Sequence, residues 1–220
     1  MIRTGVCSTI GGKAILCKRI AAHLDSIPHV QYVEPFCGAA SVYLAKKPAH
    51  WNVLNDINGE LVALLRVCAR HPKALIEQLQ LTHRSRAEFQ WLARLDPSGL
   101  TDIERAARWW VLTSYGTSGK TRGHSFGNGK VPRTSAFFAQ WLATATLRLR
   151  DAAIECLPWQ EAIRRFDKPH TLFYCDPPYI GTTGYATPFG EADHHDLAAA
   201  LHRVRGTFVL SLNNCPLALQ

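Results

Sequence analysis

The chain has 220 residues, of which 47% are hydrophobic and 19% are charged. These values predict a single globular domain with a substantial core and exclude disordered, collagen-like and disulfide-scaffold proteins. The apolar runs are shorter than the roughly 20 residues of a membrane-spanning helix, and the N-terminus lacks a signal-peptide stretch. The seven cysteines are scattered without any Cys-x-x-Cys pair, which favours reduced thiols over a metal site. We therefore expect a cytoplasmic protein with no membrane partner and no bound metal.

The net charge of +8 is concentrated in one part of the chain. Residues 82–150 contain 11 basic and 4 acidic residues, whereas the rest of the chain contains 14 and 13. No Asp or Glu occurs between Arg105 and Arg150. Such a stretch is either a solvated basic face or a surface that binds a polyanion, because an acid-free patch neutralises phosphates and releases their counterions.

The first predicted elements in chain order form a βαβα unit. Residues 30–35 and 51–55 have the composition of short strands, and helical stretches follow at 38–47 and 58–70. Units of this kind predict parallel strands with right-handed crossovers, and therefore an α/β fold.

The alternation of strands and helices stops near residue 73 and resumes after residue 150. The intervening part is predicted to be irregular and glycine-rich at 116–133 and helical at 74–81, 87–95, 104–113 and 137–149. Strands and helices then alternate again, at 153–157, 160–166, 171–175, 192–204 and 207–212. We therefore expect residues 1–72 and 151–220 to form one α/β domain that carries residues 73–150 as a mainly helical insert.

The first candidate site follows the first predicted strand, in the sequence Glu34-Pro35-Phe36-Cys37-Gly38. A glycine turn between a strand and a helix lets the polar part of a nucleotide-like ligand approach the helix N-terminus. A carboxylate after the next strand can bind the ribose hydroxyls, and Asp56 has that position. Taken alone, the pattern fits an ordinary tight turn equally well.

A second candidate is Gly11-Gly12-Lys13 near the N-terminus. It superficially resembles a phosphate-binding loop, which requires an earlier glycine and a Ser or Thr after the lysine. This chain has Cys7 and Ala14 at those two positions, which excludes a nucleotide triphosphatase.

The third and most specific candidate is Asp176-Pro177-Pro178-Tyr179, directly after the predicted strand 171–175. The two prolines end the strand in a rigid turn that holds the Asp176 carboxylate, the Pro177 carbonyl and the Tyr179 ring together. The exocyclic amine of a nucleobase is a poor nucleophile because its lone pair is delocalised into the ring. Two acceptors that bind both amine hydrogens make the nitrogen more nucleophilic, and an aromatic ring can stack on a base taken out of the helix. We predict that these four residues are catalytic.

In this order, the three motifs resemble those of the Dam-like DNA adenine methyltransferases, which transfer a methyl group from S-adenosyl-L-methionine to the 6-amino group of adenine. The resemblance covers nearly the whole chain and implies a Rossmann-like methyltransferase sheet with a target-recognition region inserted before the catalytic motif. It implies that S-adenosyl-L-methionine is bound by Thr9, Lys13, Glu34, Phe36, Gly38, Asp56 and Asp176. In this assignment, Glu34, Phe36 and Gly38 surround the methionine part and Asp56 holds the ribose.

The resemblance also implies double-stranded DNA as the partner of the basic insert. The candidate DNA contacts lie in its glycine-rich segment and are Ser118, Lys120, Arg122, His124, Asn128, Lys130 and Arg133. These residues could contact bases or only phosphates, so the sequence does not determine which DNA site is recognised. It also leaves open the oligomeric state and whether the protein serves a phage, a restriction system or chromosome marking.

The chain departs from the resembled pattern at three places. Thr9 stands where an aromatic residue is common, so that ring stacking is not expected at this position. Ala40 replaces the second glycine of the cofactor loop, and we expect its methyl group to lie where the backbone approaches the cofactor, as a tolerated change. The chain ends at Gln220, just beyond the predicted strand 207–212, so that we expect a sheet that is short at its C-terminus.

Three alternative functions follow from the same residues. Some relatives with a similar tetrapeptide methylate the exocyclic amine of cytosine, but Asp176 and the order of the motifs favour adenine. A DNA-binding relative that is truncated and catalytically weak is a different class. Methylation of a protein glutamine is less compatible with the sequence. The enzymes that catalyse it have a motif resembling Asn-Pro-Pro-Tyr, and they would not need a basic insert.

Overall fold

The computed structural model describes residues 5–7, 13, 15–116, 126–127, 135–181 and 187–214, with the backbone alone at 135–137. Its strands are β1 (Gln31–Glu34), β2 (Trp51–Asn55), β3 (Ala152–Glu155), β4 (Thr171–Cys175) and β5 (Thr207–Leu210). They form one parallel sheet in the order β3-β2-β1-β4-β5. The predicted α/β fold with a Rossmann-like sheet is therefore confirmed.

The helices of the described residues lie close to the predicted positions. They are α1 (Cys17–Asp25), α2 (Ser41–Ala45), α3 (Gly59–Arg70), α4 (Pro72–Gln80), α5 (Arg86–Arg94), α6 (Asp102–Tyr115), α7 (Ser135–Arg150), α8 (Trp159–Phe166) and α9 (Glu191–Leu201). Local capping explains several starts, since Asn58 caps α3, Ser85 caps α5, and Thr101 forms a capping box with Glu104 at α6. Only α1 lacks a counterpart among the predicted helices, although its buried residues Cys17, Ala21 and Leu24 have helical spacing.

The sheet is covered on both faces, as parallel sheets require. Tyr32 and Leu172 contribute to a core that includes α3, α6 and α7, whereas Val33 and Phe173 pack on the opposite face with α8 and α9. Every residue of β4 is buried. The central strands are thereby fixed, and so are the positions of the loops at their carboxyl ends.

The described helices of the insert share the core of the sheet domain. Both α6 and α7 pack against α3, and α4 packs against α6 and α7. A part-buried ion pair also joins Arg105 on α6 to Glu60 on α3, with 2.6 Å between Arg105 Nε and Glu60 Oε1. The division into residues 1–72 with 151–220 and residues 73–150 stays a prediction.

Three general features of the described residues bear on function. No helix among them is long and apolar enough to cross a membrane. None of their His, Cys, Asp and Glu side chains group as a metal site would require. Their cysteines are free thiols, all buried except Cys156.

Asn55, the last residue of β2, holds two loops at the carboxyl edge of the sheet. Its side-chain nitrogen donates to the carbonyl oxygens of Pro35 at 2.9 Å and Leu157 at 3.0 Å. Its side-chain oxygen accepts from the Leu157 amide at 2.9 Å. The side chain is fully buried. The loops after β1 and β3 are therefore held to β2 by one amide.

We predict that Asn55→Ala lowers the free energy of unfolding by about 2–4 kcal/mol, because it leaves buried backbone groups unpaired. The matched control is Asn52→Ala in the same strand, since Asn52 is also buried but bonds only locally to Ala49. Urea unfolding of both variants measures the difference. Equal losses would show that the link between the loops contributes nothing.

Candidate active site

The site lies where the strand order of the sheet reverses. From β1 the chain proceeds to β2 on one side, whereas β4 pairs with β1 on the other. In open α/β sheets, ligands bind in the crevice beyond the carboxyl ends of the strands at such a point. A cavity of about 340 Å³ opens there. This volume falls within the range of small-molecule and cofactor sites.

The conformation of the loop after β1 depends on hydrogen bonds between backbone amides and the Asp56 carboxylate. Gly38 and Ala40 have φ angles of +51° and +56°, in the left-handed region. The Gly38 amide donates to Asp56 Oδ2 at 3.0 Å, and the Asn58 amide donates to Asp56 Oδ1 at 2.9 Å. Burial raises the pKa of Asp56, and these two amides oppose that rise. Asp56 therefore fixes the turn itself, besides facing the cavity.

Ala40 differs from the sequence expectation. Its side chain is fully buried in the core and does not line the cavity. The resembled cofactor loop has a glycine at this position, and the positive φ angle accounts for it. A non-glycine residue in this conformation is destabilised by roughly 1–2 kcal/mol. The expectation of a methyl group at the approach to the cofactor is wrong, because the left-handed turn points that group into the core.

Glu34 is a buried carboxyl group at the end of β1. Only 2% of the residue is exposed, and its Oε1 accepts from the Tyr32 hydroxyl at 2.7 Å. Burial raises the pKa of Glu34 to about 8, with a contribution from the Asp176 charge. At neutral pH, Glu34 is mostly protonated in the free protein, and a cation bound nearby would favour its ionised form.

The Asp176-Pro177-Pro178-Tyr179 segment directly follows β4 and lines the same cavity. Both Asp176 carboxylate oxygens accept from Lys13 Nζ, at 2.6 and 2.7 Å. The same Nζ lies 4.6 Å from the centre of the Tyr179 ring. The N-terminal segment and the predicted catalytic motif therefore meet through one lysine.

The segment after β5 holds the catalytic loop in place. The Ile180 amide donates to Asn213 Oδ1 at 3.1 Å, and Asn213 Nδ2 donates to the Ile180 carbonyl at 3.2 Å. The hydroxyl groups of Tyr179 and Ser211 lie 3.3 Å apart. These contacts join Ser211 and Asn213 to the turn that follows β4.

An aromatic cluster forms another wall of the cavity. The Phe36 ring lies 6.2 Å from the Trp159 ring and 5.8 Å from the Phe189 ring, edge-on to the latter. Trp109 and Thr113 of α6 also line the cavity. Except for Phe36, these residues escaped the sequence analysis. Trp159 is the first residue of α8 and lies beyond the carboxyl end of β3, and this place after a strand was the signal that could have identified it.

The cavity brings together most of the predicted site residues. Those that line it are Lys13, Glu34, Phe36, Gly38, Asp56, Asp176, Pro177, Pro178 and Tyr179. Thr9 and the seven candidate DNA contacts, Ser118, Lys120, Arg122, His124, Asn128, Lys130 and Arg133, lie outside the described residues. Their roles stay predictions.

The base of the glycine-rich segment is nevertheless described. Gly116 forms an antiparallel bridge with Phe126, and the Gly127 amide donates to the Tyr115 carbonyl at 2.9 Å. The exposed Arg84 and Arg86 lie over the Phe126 ring, at 6.0 and 5.3 Å from its centre. Positive charge therefore lies beside the bridge between Gly116 and Phe126.

A parallel sheet with a ligand cavity at its reversal point and an Asp-Pro-Pro-Tyr turn beyond β4 defines a Rossmann-like methyltransferase. Among such enzymes, the model of the D12 class N6 adenine-specific DNA methyltransferases matches residues 10–218, and the chain belongs to this family. The predicted class of enzyme, an adenine-specific DNA methyltransferase, is thereby confirmed. The family implies a methyl donor and a DNA substrate.

Individual relatives are similar at modest identity. The chain is 27% identical over 202 residues to the retron Ec67 DNA adenine methylase of Escherichia coli, covering 87% of the chain and 70% of the relative. It is 28% identical over 177 residues to the DNA adenine methylase of Salmonella typhi, covering 77% and 62%. For the DNA adenine methylase of Vibrio cholerae the values are 27% over 222 residues, 93% and 79%. The chain thus spans about two thirds to four fifths of their length.

We predict that the buried Glu34 makes stability depend on pH. Unfolded Glu34 ionises above its ordinary pKa of 4.5, whereas the folded residue keeps its proton to about pH 8. The unfolded state is therefore favoured progressively between these two values. Relative to the wild type, Glu34→Gln should gain on the order of 3 kcal/mol of unfolding free energy between pH 5 and pH 8.

Urea unfolding at pH 5, 6.5 and 8 measures this trend. The control is Glu77→Gln, because Glu77 is an exposed residue of α4 and should show no such gain. A constant difference between Glu34→Gln and the wild type across the three pH values would contradict the assignment.

Proposed function

We propose that this chain transfers a methyl group from S-adenosyl-L-methionine to the 6-amino group of an adenine flipped out of double-stranded DNA. The observation that carries the proposal is the position of the Asp176 to Tyr179 turn inside the cavity at the β1–β4 junction. The catalytic groups and a cofactor-sized space thereby share one site. The predicted cytoplasmic location stays a prediction.

The charges of the cavity fit S-adenosyl-L-methionine. Its described lining contains four carboxyl groups and one lysine; the carboxyl groups belong to Glu34, Asp56, Asp176 and Asp193. The cofactor carries a positive sulfur and an ammonium group, and so complements an acidic cavity. It supplies an electrophilic methyl group when it is bound.

The described lining of the cavity includes both aromatic rings and carboxyl groups. Phe36, Trp159 and Phe189 offer rings that suit the flat faces of an adenine moiety. Glu34 and the Gly38 turn would hold the methionine part, and Asp56 would face the ribose while it keeps the turn closed. These assignments extend the resemblance to the contacts described above.

The Asp176 turn would prepare the target amine for methyl transfer. The Asp176 carboxylate and the Pro177 carbonyl would accept its two hydrogens, which localises the nitrogen lone pair toward the incoming methyl group. The Tyr179 ring would stack on the base. Both steps require the adenine to leave the DNA stack, because the acceptors lie at the cavity and cannot reach into a duplex.

DNA binding would fall to the basic insert. The described Arg84 and Arg86 lie at the base of the glycine-rich segment, and the candidate contacts lie within it. Lysines there would bind phosphates, and arginines could pair with guanine through two bonds.

The direct test uses the full chain with labelled S-adenosyl-L-methionine and unmethylated duplex DNA. We expect label in DNA and N6-methyladenine after digestion to nucleosides. Label found only as N4-methylcytosine would support the cytosine alternative. DNA binding without any transfer would support the catalytically weak relative.

We predict that Asp176→Asn lowers single-turnover methylation by roughly 10²-fold or more, while the fold and DNA binding largely remain. Asp167→Asn is the matched control, because Asp167 lies before β4, at the opposite end of the strand, and accepts only from the Arg205 and Gly206 amides. Near-normal turnover of Asp176→Asn would remove this residue from the catalytic role.

We predict that Lys120→Ala and Lys130→Ala weaken binding to all duplexes alike. Each should reduce the slope of log affinity against log salt by roughly 0.9 if its ammonium contacts a phosphate. The exposed Lys168 lies next to β4 and outside the insert, so that Lys168→Ala is the control.

By contrast, Arg122→Ala or Arg133→Ala should cost about 1–3 kcal/mol on the preferred site and little on random DNA. Titrations at several salt concentrations, with both kinds of duplex, compare the variants. If none of the four differs from the Lys168 control, the acid-free stretch is only a solvated basic face.

A further inference from the structure

Lys13 makes a buried ion pair with the predicted catalytic carboxylate. Its Nζ lies 2.6 and 2.7 Å from the two Asp176 oxygens, and the two side chains are 7% and 17% exposed. The partners are 163 residues apart in sequence. Only the tertiary fold therefore joins them, and the sequence analysis had assigned Lys13 to the cofactor alone.

The groups around Asp176 give Lys13 a particular electrostatic role. Burial, together with the Asp176 charge, raises the pKa of Glu34 at the end of β1 and of Tyr174 on β4, which favours the neutral form of both neighbours. Tyr179 lies in the same turn, and the Ser211 hydroxyl after β5 stabilises the carboxylate by a hydrogen bond. Among the described residues that line the cavity, Lys13 is the one cation.

The chemistry of the amine requires an ionised acceptor. A carboxylate accepts a hydrogen bond with either oxygen, whereas a protonated carboxyl group presents a donor as well. Burial raises the pKa of Asp176, and Lys13 opposes this rise. Without a nearby cation, a carboxyl group in such a cavity would take up a proton as the pH falls toward neutrality.

Building on the proposed function, we propose that Lys13 is a positioning residue for methyl transfer, which keeps Asp176 ionised and aimed at the amine site. The ammonium group lies between the Asp176 carboxylate and the Tyr179 ring, 4.6 Å from the ring centre. It thus orients the two groups that would bind the target base. A lysine that served the cofactor alone would not need to contact either of them.

The first experiment measures the ionisation of Asp176 directly, without any reaction. Full-length protein labelled with ¹³C at aspartate carboxyl groups is titrated by NMR, and the Asp176 signal is identified by its loss in Asp176→Asn. We expect Lys13→Met to raise the titration midpoint of Asp176 by about 1–3 pH units, and Lys13→Arg to leave it near the wild-type value. If Lys13→Met does not fold, Lys13→Gln removes the charge and keeps a hydrogen-bond donor.

The second experiment follows single-turnover methylation from pH 5.5 to pH 9. Loss of the Lys13 charge should shift the acidic limb of the rate profile to higher pH. The rate of the variant relative to the wild type should therefore fall at least tenfold more at pH 6 than at pH 9. In an Asp176→Asn background, Lys13→Met should add little further loss. Melting temperatures and cofactor affinities of the same proteins are the control. A lower melting temperature or a weaker affinity would identify a variant whose loss of rate is merely structural.

The two readouts separate this proposal from the proposed function. An unmoved Asp176 midpoint in Lys13→Met, or a loss of rate that is equal at every pH, would overturn the role of Lys13. If the wild type methylates no DNA, the proposed function fails, and the NMR titration still decides whether Lys13 sets the charge of Asp176.

Discussion

The parallel pairing of β1 with β4 is the constraint on which the site depends. The two strands are separated by more than a hundred residues of chain, and their pairing places their carboxyl ends side by side. Glu34 and Asp176 end these strands and therefore share one cavity. The insert lies between β2 and β3 in the chain.

The cavity concentrates carboxyl groups at a cost in stability that other groups partly offset. Asp56 receives two backbone amides, Glu34 receives the Tyr32 hydroxyl, and Asp176 receives Lys13. The separation in sequence between carboxyl group and partner ranges from two residues for Glu34 to 163 residues for Asp176. The carboxyl groups of the cavity are thereby held in place by other groups of the protein itself.

The insert is bound to the sheet domain more closely than its composition indicates. Its helices α6 and α7 pack on α3, and Trp109 and Thr113 of α6 form part of the cavity wall. The same helix leads directly to Gly116, where the glycine-rich segment begins its bridge with Phe126. The helix α6 therefore connects the wall of the cavity with the base of the glycine-rich segment.

The sequence alone determined the α/β alternation, the strands Trp51–Asn55 and Thr171–Cys175, and the chemistry of the Asp176 turn, because period, proline and glycine are local signals. It missed α1, whose short amphipathic pattern lies beside a glycine-rich segment, and the aromatic wall around Trp159. It also misjudged Ala40, since only the folded turn shows where a methyl group points. The pairing of Lys13 with Asp176 was decided by tertiary structure alone, because a contact across 163 residues depends on the strand order and on burial, which no local pattern encodes.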